Sequence, residues 1–298
     1  MSSLLKTDFM PSFGGQTMVG RLRMVAVCEP ETAGWNAPNG WREMGYLHAP
    51  DFVTAKKQHD ALCRELKAAG AEVVTLDGGG QLDAVYVHDA SLVTDFGAIC
   101  LSMGKAGRRD EPSRHRKVYQ RLGIPILGEI RAPGTAEAGD MVWLDARTLL
   151  IGRGYRTNAA GIEQLRAMLA PKDIQVLPAP LPHSSGPGGC LHLMSLVSLL
   201  DEHTALVDLP RLAVETVEFL KDRGYKLIEI DPRERDTLAC NVLALGERRL
   251  LAIAENQRTN DRLKEAGFDL RTFPAGEIGI NGGGGPTCLT RPILRDMS

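Results

Sequence analysis

Short apolar segments alternate with amphipathic ones along most of the chain, and the alternation returns at intervals of about 50 residues, a spacing typical of repeat architectures. Each unit has the pattern of two short strands, a helix and a third strand. The clearest unit pairs the apolar runs 141–144 and 148–151, continues with a predicted helix over 158–169 and ends with a strand over 174–177. The same pattern predicts three more units: strands 84–88 and 98–101, helix 111–121, strand 124–127; strands 190–194 and 204–207, helix 211–222, strand 226–230; and strands 240–245 and 250–254, helix 260–266, strand 269–273.

A fifth unit is divided between the two ends of the chain. A strand near 287–293 supplies its start, and strand 24–28, helix 53–69 and strand 72–76 supply the rest. Such a division closes a ring without leaving open sheet edges. We therefore predict a single domain over residues 1–298, an α/β fold built as a five-bladed α/β propeller of pseudo-fivefold ββαβ repeats, with the fifth blade closed by both termini. A doubly wound parallel sheet is the alternative, although the closely spaced strand pairs suit hairpins better than parallel crossovers.

Composition narrows the range of partners. With 298 residues and 43% apolar content, the chain can bury a large core without disulfides or metals. Lys+Arg total 35 against Asp+Glu 37, a net charge of -2, and no basic run follows a phosphate backbone, so we predict no nucleic acid partner. No apolar run approaches the roughly 20 residues that span a bilayer, and no secretion signal starts the chain, which predicts a cytoplasmic protein without a membrane partner. The six cysteines are dispersed, with no Cys-x-x-Cys pair, so neither a zinc ribbon nor a disulfide framework is expected.

The first predicted strand of each unit carries one polar or sulfur-containing residue. Equivalent strands of a ring face one central channel, so these residues would meet in space. Alone, a small cysteine and a core histidine are ordinary packing residues. Because Cys288 follows a glycine-rich stretch that permits close approach of a ligand, and His192 occupies an equivalent position, the two form a credible thiol and base pair. The five residues are Asp89, Asp140, His192, Asn241 and Cys288.

Acidic residues supply a third element. Glu137 and Asp140 are three positions apart, and Asp83 and Asp89 bound an apolar run at an even spacing, so on a regular strand the latter two would share a face. Either pair alone is compatible with exposed turn residues. Beside a thiol and an imidazole, several carboxylates would form a pocket for a cation.

With these motifs the sequence resembles the guanidino-group-modifying enzymes, especially dimethylarginine dimethylaminohydrolases and, more distantly, arginine deiminases and amidinotransferases. The resemblance extends from about Met24 to Pro292. It implies the five-bladed propeller, a cofactor-free and metal-free hydrolysis of the guanidino C–N bond of an arginine-like amino acid, and citrulline-type and amine products. It is also compatible with a homodimer.

The resemblance implies roles for individual residues. The motif 283–288 is similar to the glycine-rich cysteine motif of the family, which makes Cys288 the nucleophile that carries an S-alkylthiouronium intermediate. His192 corresponds to the general acid and base, and Glu137 to the acid that orients this histidine or holds the guanidinium. By the same resemblance Asp89 binds the guanidinium, Asp83 the α-amino group, and Arg108 and Arg156 the α-carboxylate, with Arg109 a near rival of Arg108. Asp140 is added to the substrate-binding residues as one of the clustered acids of the cation-binding pocket.

Some positions depart from the family pattern. His88 stands where dimethylarginine hydrolases usually have an acid, and Ala138 replaces a glycine. His192 is followed by Leu193 and Met194, without the aspartate two positions later that deiminases use. The dimethylarginine branch is therefore favoured. The alternatives are an amidinotransferase, an arginine deiminase and, from another class, a non-catalytic propeller that binds a partner.

Overall fold

The computed structural model describes residues 12–189 and 191–297, and these ranges contain five sheets of three strands each. In every sheet the first strand pairs antiparallel with the second, and the second pairs parallel with the third. A helix connects the second strand to the third. The strand order is β15-β1-β2, β3-β4-β5, β6-β7-β8, β9-β10-β11 and β12-β13-β14, with β1 Leu22–Cys28, β2 Glu72–Leu76, β3 Ser91–Thr94, β4 Gly97–Cys100, β5 Ile126–Glu129, β6 Met141–Asp145, β7 Thr148–Arg153, β8 Gln175–Pro180, β9 Val197–Asp201, β10 Thr204–Val207, β11 Lys226–Glu229, β12 Leu243–Gly246, β13 Arg249–Ile253, β14 Asp269–Phe273 and β15 Arg291–Arg295.

The longer helices each bury one face against the sheets. In the longest helix the buried residues Ala55, His59, Leu62 and Leu66 recur at helical spacing, and Asp51 caps its start by accepting from the amide nitrogen of Val53 at 3.0 Å. The helices are α1 Trp41–Met44, α2 Phe52–Ala68, α3 Glu111–Arg121, α4 Ala159–Leu169, α5 Val214–Asp222 and α6 Gln257–Glu265. Helices α2 to α6 therefore lie one in each ββαβ unit, as the periodicity predicts.

The first strand of most units begins later than predicted, and this is a correction. Residues 82–85 form a 3₁₀ helix ahead of β3, and β9 begins at Val197, after the predicted strand 190–194. Cys190 lies outside the described residues. Strand β12 begins at Leu243 and β15 at Arg291, again after the predicted starts. The polar residues that precede these strands hydrogen-bond to backbone and side chains of neighbouring units, so they do not enter the sheet ladders.

The sheet at the ends of the described chain combines β15 with β1 and β2. Strand β1 pairs antiparallel with β15, where Ala26 faces Arg291, and parallel with β2, where Ala26 faces Val74. Residues from the first strands of all five sheets line one small cavity at the centre of the molecule. Within residues 12–189 and 191–297, no helix has the length and apolar character needed to cross a membrane.

Candidate active site

A cavity of about 280 Å³ opens at the ends of the sheets where the first strands begin. Cys288 and His192, 96 positions apart in the sequence, both line it (288 − 192 = 96). The segments that precede β3, β9 and β15 bring these side chains to one place. The residues of the cavity wall with polar or ionisable side chains are Asp83, Tyr86, Asp89, Lys105, Arg108, Arg156, His192, Ser195 and Cys288.

His192 is held by a buried carboxylate. Its Nε2 lies 2.7 Å from Oε2 of Glu137, which is fully buried. Because a carboxylate only accepts, the neutral imidazole carries its proton on Nε2, and Nδ1 is the nitrogen that can exchange protons with a ligand in the cavity. The other oxygen of Glu137 accepts from the amide nitrogens of Gly104 at 2.9 Å and Lys105 at 3.2 Å. Burial would raise the pKa of Glu137, but the hydrogen bond and charge of His192 outweigh it, and the pKa lies below its usual value.

Asp89 adds a second carboxylate on the other side of the imidazole. Its Oδ1 accepts from the amide nitrogen of Gly139 at 3.0 Å and lies 3.9 Å from Nδ1 of His192. Burial opposes ionisation, yet His192 and Arg108 together lower the pKa of Asp89 well below its usual range. A Cβ on Gly139 would lie 2.5 Å from His192 Nδ1 and 2.8 Å from Asp89 Oδ1, so only glycine fits between them.

Cys288 lies in a turn before β15, under the glycine-rich segment. Nδ2 of Asn241 donates to its Sγ at 3.1 Å, and Oδ1 of Asn241 accepts from the amide nitrogen of Thr287 at 2.9 Å. A Cβ on Gly284 would approach Cδ1 of Tyr86 to 2.4 Å, which explains why this segment needs glycine to pass so close. The sequence placed Asn241 at a repeat-equivalent position without giving it a role; in the structure it contacts the sulfur.

Arg108 lines the cavity but is engaged by protein carboxylates. Its Nη1 donates to Asp89 at 2.6 Å, and its Nε and Nη2 each donate to Glu111 at 2.8 Å. This buried network holds Asp89 in place. A role for Arg108 at a substrate carboxylate stays a prediction, while Arg109 is exposed and is not among the residues that line the cavity.

Asp83 also lines the cavity and is paired with a lysine that sequence reasoning did not single out. Nζ of Lys105 donates to Asp83 at 2.5 Å and to the carbonyl oxygen of Met44 at 2.7 Å. Asp83 and Asp89 do line one cavity, but not as residues of one strand face, because Asp83 belongs to a 3₁₀ helix. Lys105 carried no sequence signal, since only the fold brings it to Asp83.

Arg156 approaches the cavity from the loop before α4. Its Nη1 donates to Oε2 of Glu137 at 3.4 Å and its Nη2 to the carbonyl oxygen of Gly189 at 3.3 Å. The guanidinium therefore lies on the same side of the cavity as the Glu137 carboxylate. Arg156 and Lys105 are thus two cationic side chains of the cavity wall.

Asp140 supports the site from behind. It is fully buried, is not among the residues that line the cavity, and accepts from the amide nitrogen of Leu193 at 2.9 Å, next to His192. Burial raises the pKa of Asp140 to about 6, from an ordinary 3.8. Its position favours a role in holding the histidine segment, and direct substrate binding by Asp140 stays a prediction.

Replacing Asp140 by asparagine tests this burial. Because the pKa of Asp140 is higher in the folded chain than in the unfolded chain, its protonation stabilises the fold at low pH. This stabilisation is lost as the pH rises through the pKa of the folded state. The Asp140→Asn variant keeps an acceptor for Leu193 and has no charge to bury. Between about pH 4.5 and about pH 8 we expect the free energy of unfolding of the variant to gain about 2 kcal/mol relative to the parent chain, measured by urea unfolding. A pH-independent difference between the two would contradict this expectation.

His88, one of the departures from the family pattern, is directed away from the cavity wall. Its Nδ1 donates to the carbonyl oxygen of Thr290 at 2.9 Å, and its Nε2 lies 3.4 Å from a guanidinium nitrogen of Arg291. Burial and then the charge of Arg291 lower the pKa of His88 to about 3, so the ring is neutral. It joins the segment of Asp89 to the segment of Cys288.

Three side chains of the site have the donor types that metal ions use. Ligand atoms of Asp89, Glu137 and His192 lie within 4.8 Å of one another. All three make the internal contacts described above, with Arg108, Arg156 or each other. The set is therefore arranged as an imidazole between two carboxylates.

Five ββαβ units around a cavity lined by a thiol, an imidazole and carboxylates define the class of guanidino-group-modifying propellers. The sequence model of the eukaryotic N,N dimethylarginine dimethylhydrolase family matches residues 50–295, and the chain belongs to this family. A dimethylarginine dimethylaminohydrolase of Streptomyces coelicolor is 30% identical over 234 residues, 76% of this chain and 82% of that protein. These findings confirm the resemblance drawn from the motifs and make the chain a hydrolase of C–N bonds.

Solved structures agree. A cysteine-to-serine variant of the dimethylarginine dimethylaminohydrolase of Pseudomonas aeruginosa, in complex with citrulline, superimposes with a TM-score of 0.74 at 25% identity, covering 92% of this chain and 100% of that one. The N-terminal domain of ArgZ, a cyanobacterial arginine dihydrolase, superimposes with a TM-score of 0.77 at 22% identity, covering 92% and 98% of the two chains, which shows the shared fold. The predicted five-bladed α/β propeller is confirmed.

Proposed function

We propose that the chain hydrolyses the guanidino C–N bond of an arginine-like amino acid, dimethylarginine or a related compound, through Cys288. The observation that carries the proposal is that Cys288 and His192 line one cavity and that Glu137 is hydrogen-bonded to Nε2 of the imidazole. A thiol, a base and an orienting carboxylate are the parts of a nucleophilic site. Family membership supplies the guanidino class of substrate.

The guanidinium is recognised by charge. Its delocalised positive charge makes it a poor electrophile and costly to desolvate, so an opposite charge must receive it. Asp89, whose pKa is lowered by His192 and Arg108 despite burial, is ionised at neutral pH and lies on the cavity wall. A bound cation also favours the thiolate form of Cys288, which the amide of Asn241 stabilises by hydrogen bonding.

The reaction proceeds in two halves. The Cys288 thiolate adds to the central guanidino carbon, and the tetrahedral adduct expels an amine that takes a proton from His192, which leaves an S-alkylthiouronium. His192, now neutral, takes a proton from water as that water attacks the same carbon, and the C–S bond breaks. The hydroxyl proton of the adduct is lost through solvent to the released amine. The products are therefore a ureido amino acid of the citrulline type, ammonium or an alkylammonium, and the regenerated thiolate, with His192 protonated for the next cycle.

The other charged side chains of the cavity wall fit the amino acid part of such a substrate. Arg156 and Lys105 present positive charge to a carboxylate, and Asp83 presents negative charge to an α-amino group. The complex of the Pseudomonas aeruginosa relative with citrulline is consistent with a ureido amino acid as product. These groups define the orientation of the substrate, while the chemistry belongs to Cys288 and His192.

The test is a product screen on the purified chain. Arginine, its monomethyl and dimethyl derivatives and shorter guanidino acids are incubated with and without an added primary amine, and ureido product and released amine are quantified by mass spectrometry. We expect ureido product from at least one arginine derivative, in equal amount with and without the added amine. A guanidino product that forms only with the amine would establish an amidinotransferase, and no turnover of any compound would favour a binding protein.

Replacing Arg156 by alanine tests the carboxylate contact. Loss of a charge-assisted hydrogen bond to substrate corresponds to about 1.5–3 kcal/mol, so we expect KM for the preferred substrate to rise about 10- to 100-fold with kcat changed far less. Steady-state kinetics of Arg156→Ala measure both constants. The matched control is Arg109→Ala, which removes an exposed arginine from the neighbouring loop and should leave KM unchanged. A larger rise in KM for Arg109→Ala than for Arg156→Ala would assign the carboxylate contact to Arg109.

A further inference from the structure

A second cavity lies on the central axis, behind the active site. It measures about 30 Å³, room for one or two particles of the size of water. Strands β3, β6, β9 and β12 line it mainly with apolar side chains such as Val93, Val142, Val197 and Leu243. Strand β15 differs, because it contributes two arginines, Arg291 and Arg295, which are 6% and 3% exposed.

Neither arginine has a carboxylate partner among the residues that the structure describes. Arg291 donates to the carbonyl oxygens of His88 at 3.1 Å and Ser91 at 2.5 Å, and its Nε has no hydrogen-bond partner. Arg295 donates through Nη1 to the carbonyl oxygen of Gly20 at 2.6 Å, and within residues 12–189 and 191–297 no hydrogen bond joins its Nε or Nη2. Carbonyl groups therefore satisfy only part of two buried guanidinium groups.

Within the part of the chain that the structure describes, no carboxylate forms an ion pair with either guanidinium. His88 is held neutral by its own burial, with its pKa lowered to about 3. Asp89 is the acid whose charge acts on Arg291, but among the described residues its side-chain hydrogen bonds come from Arg108 and Gly139, and none joins it to Arg291. Burial, and next the charge of Arg291, lower the pKa of Arg295 to about 9, which still leaves it charged at neutral pH. Two like charges thus share one enclosed space, a costly arrangement without a counterion.

We propose that this axial cavity binds a small monovalent inorganic anion of the size of chloride between Arg291 and Arg295. The volume admits an ion of that size and excludes a phosphate with its four oxygens. The hydroxyl of Thr17, which accepts from the amide nitrogens of Val19 and Gly20 at 3.1 Å, also lines the cavity and can turn its proton to the anion. The site is distinct from the cavity of Cys288.

The experiment compares anions at constant ionic strength. The full chain is exchanged into sodium gluconate, whose anion is too large for the cavity, and the melting temperature is followed as gluconate is replaced by chloride or bromide. A ligand at a hundredfold excess over its Kd should raise Tm by roughly 4–8 °C, and Tm should then keep rising with the logarithm of the halide concentration. Crystals of the chain soaked in sodium bromide should show an anomalous scattering peak in contact with both guanidinium groups.

Two variants separate a bound ion from a general salt effect. Arg295→Met replaces one cation with an apolar side chain, so the logarithmic chloride response should disappear, whereas Arg166→Met, which removes a half-buried arginine on α4 away from the cavity, should keep it. An equal response of Arg295→Met and the parent chain would overturn the proposal. If Arg295→Met does not fold, the bromide soak of the parent chain decides, and ordered water without an anomalous peak would equally overturn it.

Discussion

Replacement of Cys288 by serine is expected to abolish turnover, with kcat falling on the order of 10⁴-fold or more, while the chain stays folded. The hydroxyl of serine is a far weaker nucleophile toward a guanidino carbon than a thiolate is. The amide of Asn241, which donates to the sulfur of Cys288, does not compensate for this difference. Substrate should still bind, because Asp89, Arg156 and Lys105 are untouched. The measurement is single-turnover product formation by Cys288→Ser, with binding followed by calorimetry.

The matched control is Cys63→Ser, which changes a partly buried thiol on α2, away from the cavity. An alkylating amidine adds a second readout, because it should label Cys288 alone among the described cysteines. Burial raises the pKa of Cys28 to about 12 and of Cys63 to about 11, and also raises the pKa of Cys100 and Cys240, so these thiols stay protonated. Normal product formation by Cys288→Ser would remove Cys288 from the mechanism.

The periodic part of the fold was predictable because it depends on local pattern. Helix 111–121 and strands 204–207, 269–273 and 72–76 lie where apolar spacing placed them. The residues at which the first strands begin were not predictable, because the polar residues there hydrogen-bond to neighbouring units and not to the adjacent strand of their own sheet. His192, for example, is joined to Glu137 of the preceding unit, and no local propensity encodes such a contact.

The candidate site was predictable to the extent that repeat-equivalent positions converge on an axis. That argument brought Asp89, His192 and Cys288 to one cavity, as the structure shows. It did not reveal Lys105, whose ammonium group reaches Asp83 because the loop after β4 lines the same cavity. Nor did it reveal that Arg108 is held between Asp89 and Glu111, because such pairing depends on side-chain direction in the folded chain.

Replacement of Glu137 by glutamine should have the second largest effect, a fall in kcat of about 100- to 10,000-fold, by analogy with the loss of an orienting carboxylate in other nucleophilic sites. Both oxygens of Glu137 accept from donors: Oε1 from two amide nitrogens, and Oε2 from Nε2 of His192. A glutamine amide cannot accept on its nitrogen, so either the two amide nitrogens or the imidazole must lose a partner in a buried place. The imidazole is then free to present the wrong nitrogen to the cavity.

A loss of stability alone would also lower activity, so Glu137→Gln needs a control that loses stability elsewhere. Glu234 accepts from the amide nitrogens of Arg258 and Thr259 at 2.8 Å each, at the start of α6, and is not among the residues that line the cavity. Glu234→Gln should lower Tm without changing kcat at a temperature where both variants are folded. Glu137→Gln should lower kcat there and shift the pH profile of kcat, because the carboxylate no longer favours the protonated imidazole. Equal kcat values for the two variants would show that Glu137 does no more than hold the fold.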